Sequence, residues 1–285
     1  MRSEIRTPAL LLDMPAMESN LRKMGAFFKQ GPTRLRPHYK NHKCVALAKK
    51  QIECGAIGMS CATLSEAEAL IQGGVDNILL VNEIAGAIKV EAFASLSRHA
   101  GLIVAVDNPR GVEELAAASA RFKVELHVVV DVDTGMGRCG VPPGEPALAL
   151  AQLAHARGLR LRGLTGYEGH CNRMQPGPAK TEASHQAMGK LVETARLLRS
   201  HGLPVEIVSA GGTGTYSLSG AFPGVTEIQA GSYLLMDTDY RSVQPEFDLA
   251  LSVLGTVISR TGNERLVIDA GLKEISGERG LPSLK

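Results

Sequence analysis

The sequence contains no tryptophan, and phenylalanine and tyrosine together make up only 4% of its 285 residues. Its charge is nearly balanced, because 31 Lys and Arg stand against 29 Asp and Glu for a formal net charge of +2. Proteins that bind nucleic acids usually combine a basic surface with aromatic side chains on which bases stack. The composition therefore argues against a nucleic-acid partner and favours a small-molecule partner.

Cysteines and apolar runs are also sparse. The cysteines are odd in number and scattered, without a CxxC pair: Cys44, Cys54, Cys61, Cys139 and Cys171. This pattern indicates neither a disulfide framework nor a zinc site, and it fits a reducing compartment. No apolar stretch approaches the roughly 20 residues that a membrane helix needs, and the run at 9–12 is too short for a signal peptide. We therefore expect a soluble, cytoplasmic protein with no membrane partner.

Short β-rich runs alternate with longer amphipathic stretches, which is the pattern of β/α units on a parallel sheet. A leading strand at 9–12 and a helix that begins at Asp13 come first. Eight strand-like runs follow at 33–38, 57–60, 77–81, 102–106, 124–131, 161–166, 205–209 and 226–229. Helical patterns lie at about 42–54, 63–73, 84–97, 109–121, 144–157 and 179–201, and only a Gly/Ser-rich turn with room for one short helix joins the last two strands. Eight repeats predict an α/β fold, a closed (β/α)8 TIM barrel over 13–240, with an open doubly wound sheet as the alternative.

Local signals mark where some of these helices begin and end. Thr63 and Glu66 have the spacing of a capping box, in which the hydroxyl and the carboxylate satisfy each other's backbone N–H groups. Glycines at 73–74 and 202 follow helical patterns, and we expect them to end two helices.

The pattern changes beyond residue 240. Residues 248–259 and 265–269 are typical of antiparallel strands, joined by a turn at 261–264. Two or three strands are too few for an independently stable sheet, although the leading strand could pair with them. We therefore expect 1–12 and 241–285 to form the beginning of an antiparallel β-domain that is cut short.

In a (β/α)8 barrel the functional residues lie just after the C-terminal ends of the strands. The loops after the seventh and eighth strands most often hold a phosphate in this fold, and here they offer glycines and the hydroxyls of Thr213 and Ser232. The segment GGTG alone is equally typical of a tight turn. Its position after the seventh strand favours a phosphate site.

Lys40 follows the first barrel strand and therefore faces the same rim as the expected phosphate site. A desolvated amine among cationic neighbours is the nucleophile needed for a Schiff base with a phosphorylated aldehyde. Arg36, His38, His42 and Lys43 supply such neighbours in the sequence. The alternative is that this basic stretch is a solvated helix start or an anion-binding patch.

Seven segments of the chain carry a family resemblance when they are taken together: RPHYKNHKC, SCATLSEAEAL, DVDTGMGRCGV, GYEGH, SAGGTGTY, EIQAGSYLLMDTDY and IDAGLK. In this order they resemble the fold-type III pyridoxal-phosphate family of D-threonine aldolases, 3-hydroxy-D-aspartate aldolases and eukaryotic-type D-serine dehydratases. The resemblance spans the whole chain. It implies an alanine-racemase-like barrel followed by a β-domain, which agrees with the strand count.

The resemblance also implies roles for individual residues. Lys40 matches the lysine that binds pyridoxal 5′-phosphate as a Schiff base. His170 matches a histidine common in the aldolase branch, with a structural loop histidine as the alternative. Arg138 and Tyr167 match residues around the cofactor ring. Positions that bind the cofactor phosphate in the family match Thr213, Gly231, Ser232 and Tyr240.

The resemblance further implies a divalent metal, such as manganese, in full-length relatives. There a His-x-Asp or His-x-Cys pair beyond IDAGLK binds the metal, and this sequence ends before such a pair. His38 and His42 have a spacing of four that could chelate a metal on a helix, but we interpret them as supports for Lys40. We therefore assign no metal ligand in this chain, and we expect little activity and no response to manganese.

The activity that the resemblance implies is that of a pyridoxal-phosphate-dependent lyase acting on D-3-hydroxy amino acids, within a homodimer. The favoured reaction is retro-aldol cleavage to glycine and an aldehyde. Dehydration of D-serine or D-3-hydroxyaspartate is the alternative enzyme activity. The non-enzyme alternative is a barrel that binds pyridoxal phosphate as a carrier or homeostasis protein.

Overall fold

The structure, a computed structural model, describes residues 4–278 and 280–284. Its strands are β1 (Ala9–Leu12), β2 (Arg34–Leu35), β3 (Met59–Cys61), β4 (Ile78–Leu80), β5 (Leu102–Val106), β6 (His127–Asp131), β7 (Arg160–Thr165), β8 (Ile207–Ala210), β9 (Glu227–Ile228), β10 (Leu251–Leu254), β11 (Val257–Thr261) and β12 (Arg265–Ile268). Its helices are α1 (Met14–Gln30), α2 (Val45–Glu53), α3 (Leu64–Gln72), α4 (Ala87–Leu96), α5 (Pro109–Phe122), α6 (Glu145–Ala156), α7 (Pro178–Ser200), α8 (Tyr216–Ala221) and α9 (Thr238–Arg241).

Strands β2 to β9 form one parallel sheet of eight strands, in the order β2-β9-β8-β7-β6-β5-β4-β3. The two ends of this order also meet, because His38 and Ser60 form a parallel bridge. At this seam the Ser60 N–H donates to the Pro37 carbonyl at 2.8 Å. The sheet is therefore a closed barrel with helices outside, and the predicted (β/α)8 fold is confirmed.

The barrel strands are apolar on both faces because neither face meets water. All five residues of β5 are buried, for example. Alternate side chains of a strand point to opposite faces. One set packs under the helices in the main core, and the other forms a small cluster inside the barrel from Leu79, Ile103, Ala105, Val129 and Ile207.

A buried ion pair joins β2 and β9 in the barrel. The Arg36 guanidinium donates to both carboxylate oxygens of Glu227, at 2.8 and 3.0 Å. Its third nitrogen donates to the Asn77 carbonyl at 2.6 Å. Both charged side chains are only 3% exposed. Arg36 thereby ties β2 to β9 and to the start of β4.

The helix signals in the sequence are largely confirmed. The Asp13 carboxylate accepts from the Ala16 N–H at 3.2 Å at the start of α1. Gly74 and Gly202 adopt positive φ angles of 76° and 75° just beyond α3 and α7. The capping box is only half formed, because the Glu66 carboxylate accepts from the Ala62 N–H at 2.8 Å instead of from the N–H of the cap residue.

The cap of α3 gives a first prediction. The Thr63 hydroxyl accepts from the Glu66 N–H at 3.2 Å. Thr63→Ala leaves that donor unpaired within the helix, so the free energy of unfolding should fall by about 1 kcal/mol. Urea denaturation of the two proteins measures the difference. Thr63→Ser, which keeps the oxygen, is the control and should stay close to the parent.

The stretch predicted as one strand over 248–259 is two strands, so that expectation is wrong. β10 pairs antiparallel with β1, and β11 pairs antiparallel with β12. The chain leaves the first pair at Gly255, and the Thr256 N–H donates to the Asp269 carboxylate at 2.7 Å. The expected pairing of the leading strand is confirmed. Residues 1–3, 279 and 285, which we assigned to the β-domain, lie outside the described residues.

Within the part of the chain that the structure covers, no helix is long and apolar enough to span a bilayer.

Candidate active site

A cavity of about 300 Å³ opens at the C-terminal ends of the barrel strands. Loops that follow β2, β6, β7, β8 and β9 contribute to its wall. It brings together seven of the eight residues singled out in the sequence: Lys40, Arg138, Tyr167, Thr213, Gly231, Ser232 and Tyr240. The residues selected because they follow barrel strands therefore line a single cavity.

Lys40 lies in a short 3-10 turn, Tyr39–Asn41, directly after β2. Its backbone N–H donates to Nδ1 of His38 at 3.3 Å, and its Nζ lies 5.9 Å from the centroid of the Tyr167 ring. Burial of the amine and the positive charge of Arg138 lower the pKa of Lys40 below its ordinary value. A larger fraction of the amine is therefore neutral and nucleophilic near pH 7 than in a free lysine.

The four residues expected to surround Lys40 with positive charge do not lower its pKa. This corrects the interpretation of the sequence. Arg36 is neutralised by Glu227 in the ion pair between β2 and β9. Burial lowers the pKa of both His38 and His42, so both imidazoles are neutral near pH 7. Lys43 lies 3.7 Å from the Glu66 carboxylate. The cation that lowers the pKa of Lys40 is instead Arg138, from a loop nearly a hundred residues away.

A hydrogen-bond relay joins the Lys40 loop to the loop after β9. The His42 Nδ1 accepts from the Cys44 N–H at 3.1 Å, so its Nε2 carries the hydrogen that the Gln51 carbonyl oxygen accepts at 3.0 Å. The Gln51 amide then donates to the hydroxyl of Tyr233 at 2.9 Å. Because Tyr233 follows Ser232, the relay connects the loop that carries Lys40 to the opposite wall of the cavity.

The loops after β8 and β9 present donors that the protein itself does not use. Among the described residues, the backbone N–H groups of Thr213, Gly231 and Ser232 have no hydrogen-bond partner. The Thr213 hydroxyl oxygen accepts from the Tyr233 N–H at 3.0 Å, which leaves its hydrogen free to donate. A set of free N–H and O–H donors at one wall is the chemistry that binds a phosphate.

Gly231 is required by a close approach rather than by its φ angle. A Cβ at this position would lie 2.5 Å from the carbonyl oxygen of His38. The loop after β9 therefore packs directly on the loop that carries Lys40, and only glycine permits this contact.

Sequence reasoning missed the role of Glu168, although it lies in the polar segment after β7. Glu168 is fully buried, and its carboxylate accepts from the Gly211 N–H at 3.1 Å, the Thr215 hydroxyl at 2.6 Å and the Ser219 hydroxyl at 2.5 Å. These hydrogen bonds from Glu168 anchor the loop after β8. A carboxylate between an aromatic residue and a glycine at a strand end was the available signal.

Two tyrosines and an arginine form another wall of the cavity. Tyr167 and Tyr240 both line the cavity, and burial raises the pKa of both phenols, so both stay protonated. The Arg138 guanidinium lies 5.8 Å from the centroid of the Tyr167 ring, and that of Arg173 lies 5.1 Å from Tyr240. This wall offers a flat aromatic surface beside a positive charge.

His170 is the predicted residue that does not line the cavity. It lies in the 3-10 turn Gly169–Cys171, where it is exposed to solvent. Its ring packs on the loop after β6, since a Cβ at Gly135 would lie 3.3 Å from its Cε1 atom. The position is at the edge of the site, and its catalytic role stays a prediction.

Metal ligands are not grouped in this region. No set of three His, Cys, Asp or Glu side chains within residues 4–278 and 280–284 is placed to hold a metal ion. Both His38 and His42 use Nδ1 to accept a backbone N–H, from Lys40 and Cys44 respectively.

A (β/α)8 barrel with a largely buried lysine after its first strand and free donors after its last two has the features expected of barrel proteins that hold pyridoxal phosphate. The fit rests on chemistry seen here: a partly neutral amine, a wall of unpaired N–H groups and a flat aromatic surface with a cation. The chain belongs to the alanine racemase N-terminal domain family, which residues 12–239 match.

Comparison with individual proteins shows which members of this family the chain is similar to. A D-threonine aldolase of Arthrobacter sp. is 36% identical over 99% of this chain and 76% of its own length. A 3-hydroxy-D-aspartate aldolase of Paracoccus denitrificans (strain Pd 1222) is 37% identical over 98% and 76%. The solved D-threonine aldolase from Filomicrobium marinum superposes with a TM-score of 0.94 at 38% identity, over 97% of this chain and 76% of that one. A solved D-threo-3-hydroxyaspartate dehydratase from Delftia sp. HT23 gives 0.91 at 30% identity, over 98% and 75%.

Proposed function

We propose that this protein is a pyridoxal-phosphate-dependent lyase that cleaves D-3-hydroxy amino acids such as D-threonine to glycine and an aldehyde. The observation that carries the proposal is that the Lys40 amine and the unpaired donors after β8 and β9 open onto one cavity. Similarity to aldolases along nearly the whole chain supports the choice of reaction.

Each residue has a defined task in this proposal. Lys40 would hold the cofactor through its amine, and Nζ could accept or return a proton at the substrate. The hydroxyl of Thr213 and the free N–H groups beside it bind the phosphate. Tyr167 packs on the ring, with Arg138 at its edge. Pyridoxal phosphate, when bound, withdraws electron density from a bond at the amino acid α-carbon.

Dehydration is the second candidate, because a 3-hydroxyaspartate dehydratase superposes almost as well as the aldolase. The two reactions differ in the bond that breaks. Removal of the hydroxyl proton breaks Cα–Cβ, whereas removal of the α-proton expels the hydroxyl group. The products therefore distinguish the activities directly.

The test is a product assay with the cofactor-loaded protein. D-threonine should yield glycine and acetaldehyde, even if slowly, and D-3-hydroxyaspartate should yield glycine and glyoxylate. Ammonia and a 2-oxo acid would identify a dehydratase. Neither set of products, with the cofactor still bound, would identify a carrier and overturn the proposal.

We also propose that the reaction in full-length relatives uses a divalent metal whose ligands this chain does not supply, and the same assay is run with and without manganese. A metal on the substrate hydroxyl would lower its pKa and ease its deprotonation. Because no metal cluster lies in the part of the chain described here, we expect little stimulation. Full manganese-dependent turnover would show that the chain itself supplies the ligands.

A homodimer is proposed on the basis of the exposed β11–β12 pair. The side chains of Ile258 and Leu266 are 63% and 60% exposed, and Val257 and Ile268 extend the apolar surface. Such surface favours association with a second copy. Light scattering on the purified protein should give twice the mass of one chain, and the mass of a monomer at all concentrations would contradict it.

The phosphate site gives a second prediction. Thr213→Val and Ser232→Ala each remove a hydroxyl donor to a charged group, which contributes about 1.5–3 kcal/mol. The affinity for pyridoxal phosphate should therefore fall by roughly one to two orders of magnitude in each variant. Equilibrium dialysis measures it, and Ser65→Ala, on an exposed helix start, is the control. Unchanged affinity in both variants would place the phosphate elsewhere.

A further inference from the structure

Two carboxyl groups meet at the wall of the cavity. Asp131 ends β6, lines the cavity and is only 8% exposed. Glu83 follows β4, and its side chain hydrogen-bonds with that of Asp131. Neither carboxyl group forms an ion pair with any residue between 4 and 278. A contact between two acids without a counterion requires a proton between them.

A buried carboxylate oxygen of Glu83 that lacks a hydrogen-bond donor among the described residues also supports a proton between the two acids. Oε1 of Glu83 is buried, and no donor in the described chain reaches it. A proton on the Asp131 carboxyl would supply that donor. Burial, followed by the negative charge of Glu83, raises the pKa of Asp131 to about 8. A raised pKa keeps this acid protonated at neutral pH.

The remaining charged and titratable groups around Asp131 come from the loops after β5 and β6. Asp107 accepts from the Gly140 N–H at 3.3 Å, and its charge also favours the protonated form of Asp131. Burial and the nearby charge of Glu83 raise the pKa of Cys139, so its thiol stays neutral. Arg138 is the cation of this group, and it forms no ion pair within the described residues.

We propose that Glu83 and Asp131 share one proton, held on Asp131, and that the neutral Asp131 leaves the Arg138 guanidinium free to bind an anionic group of the ligand. The inference rests on the proposed function, because it takes the ligand to be the anionic cofactor or its amino acid. Asp131 acts here as a positioning residue. If it were ionised, its charge would attract the guanidinium and offset the positive potential of the cavity.

The pH dependence follows from the direction of the shift. Asp131 is protonated below its raised pKa, so the charge of Arg138 is then uncompensated. As the pH rises through about 8, Asp131 loses its proton and a negative charge appears at the cavity wall. Affinity for an anionic ligand should therefore fall in alkaline solution.

Two isosteric substitutions separate this proposal from a general charge effect. At neutral pH, Asp131→Asn leaves one negative charge on Glu83, outside the cavity lining. Glu83→Gln removes the negative charge that, after burial, contributes most to the raised pKa of Asp131, so Asp131 should ionise at a lower pH and carry the remaining negative charge. The two variants have the same net charge and differ only in where it is placed.

The probe is 4′-deoxypyridoxine 5′-phosphate, which carries the ring and phosphate but no aldehyde and so avoids the titration of Lys40. Its dissociation constant is measured by equilibrium dialysis from about pH 6.5 to pH 9.5. Wild type should lose affinity above about pH 8. Asp131→Asn should lose this alkaline decline, and Glu83→Gln should bind roughly tenfold more weakly than wild type at pH 7.5. Asp107→Asn is the matched control and should keep the alkaline decline.

A second measurement needs no ligand. Carbon-13 NMR of the wild-type side-chain carboxyls, with the Asp131 signal assigned by its loss in Asp131→Asn, should show Asp131 titrating well above the ordinary aspartate range. Titration below about pH 5 would overturn the proposal. Equal probe affinity in wild type and both variants at every pH would also overturn it. If no protein binds the probe but Asp131 titrates high, the proposed function fails while the shared proton stands.

Discussion

Lys40→Ala is expected to abolish covalent attachment of pyridoxal phosphate. Lys40 is the lysine whose amine lines the cavity in the described chain, and burial together with Arg138 lowers its pKa toward the reactive, neutral form. Alanine offers no nitrogen to the aldehyde. The imine absorbance of the reconstituted protein should therefore disappear, whereas binding through the phosphate loops should persist with lower affinity.

Borohydride reduction and peptide mapping make the assignment specific. Reduction of the wild type should fix the pyridoxyl group on Lys40. Lys43→Ala is the matched control, because Lys43 lies three residues away beside the Glu66 carboxylate and should leave the absorbance intact. A pyridoxyl group on Lys43, or an imine band that survives in Lys40→Ala, would contradict the assignment.

Glu168→Ala should lower the free energy of unfolding by about 3–5 kcal/mol, because it removes three charge-assisted hydrogen bonds from a fully buried site. The loop after β8 then loses its anchor at Gly211 and Thr215. Cofactor affinity should fall as well, since the donors around Thr213 are no longer held in one arrangement. Urea denaturation and equilibrium dialysis measure the two effects.

Smaller substitutions at the same site separate anchoring from packing. Glu168→Gln fills the same volume and keeps an acceptor oxygen, so it should show an intermediate loss of stability. Ser219→Ala removes a single partner of the carboxylate and should cost about 1–2 kcal/mol. A change of less than about 1 kcal/mol in Glu168→Ala would mean that the loop is held by other contacts.

Much of the barrel could be predicted from the sequence because its strands are buried on both faces and separated by amphipathic helices. The run at 102–106 coincides with β5, and most other runs overlap their strands closely. The division of 248–259 could not be predicted, because the apolar pattern continues across Gly255 while the hydrogen-bonding partner changes from β1 to β12.

The site was predictable to the extent that each residue acts from its own strand end. The rim position of Lys40, Thr213 and Ser232 follows from the count of strands alone. Pairings between distant strands do not follow from that count, since Arg36 is neutralised by Glu227, a residue 191 positions away. The contact of Glu83 with Asp131 likewise exists only once β4, β5 and β6 are assembled in the sheet.

The junction of β2 and β9 also bears on the order in which the molecule folds. Its ion pair joins residues 191 positions apart, and β1 pairs with β10 near the other end of the described chain. Contacts of such sequence separation form late, because the loop entropy must be lost before they contribute. The cavity lies across this junction, with Lys40 on one side and Ser232 on the other. During refolding, helix content should therefore return before the capacity to bind the cofactor, and a ribosome-bound chain should gain that capacity only after β9 and the loop behind it have emerged.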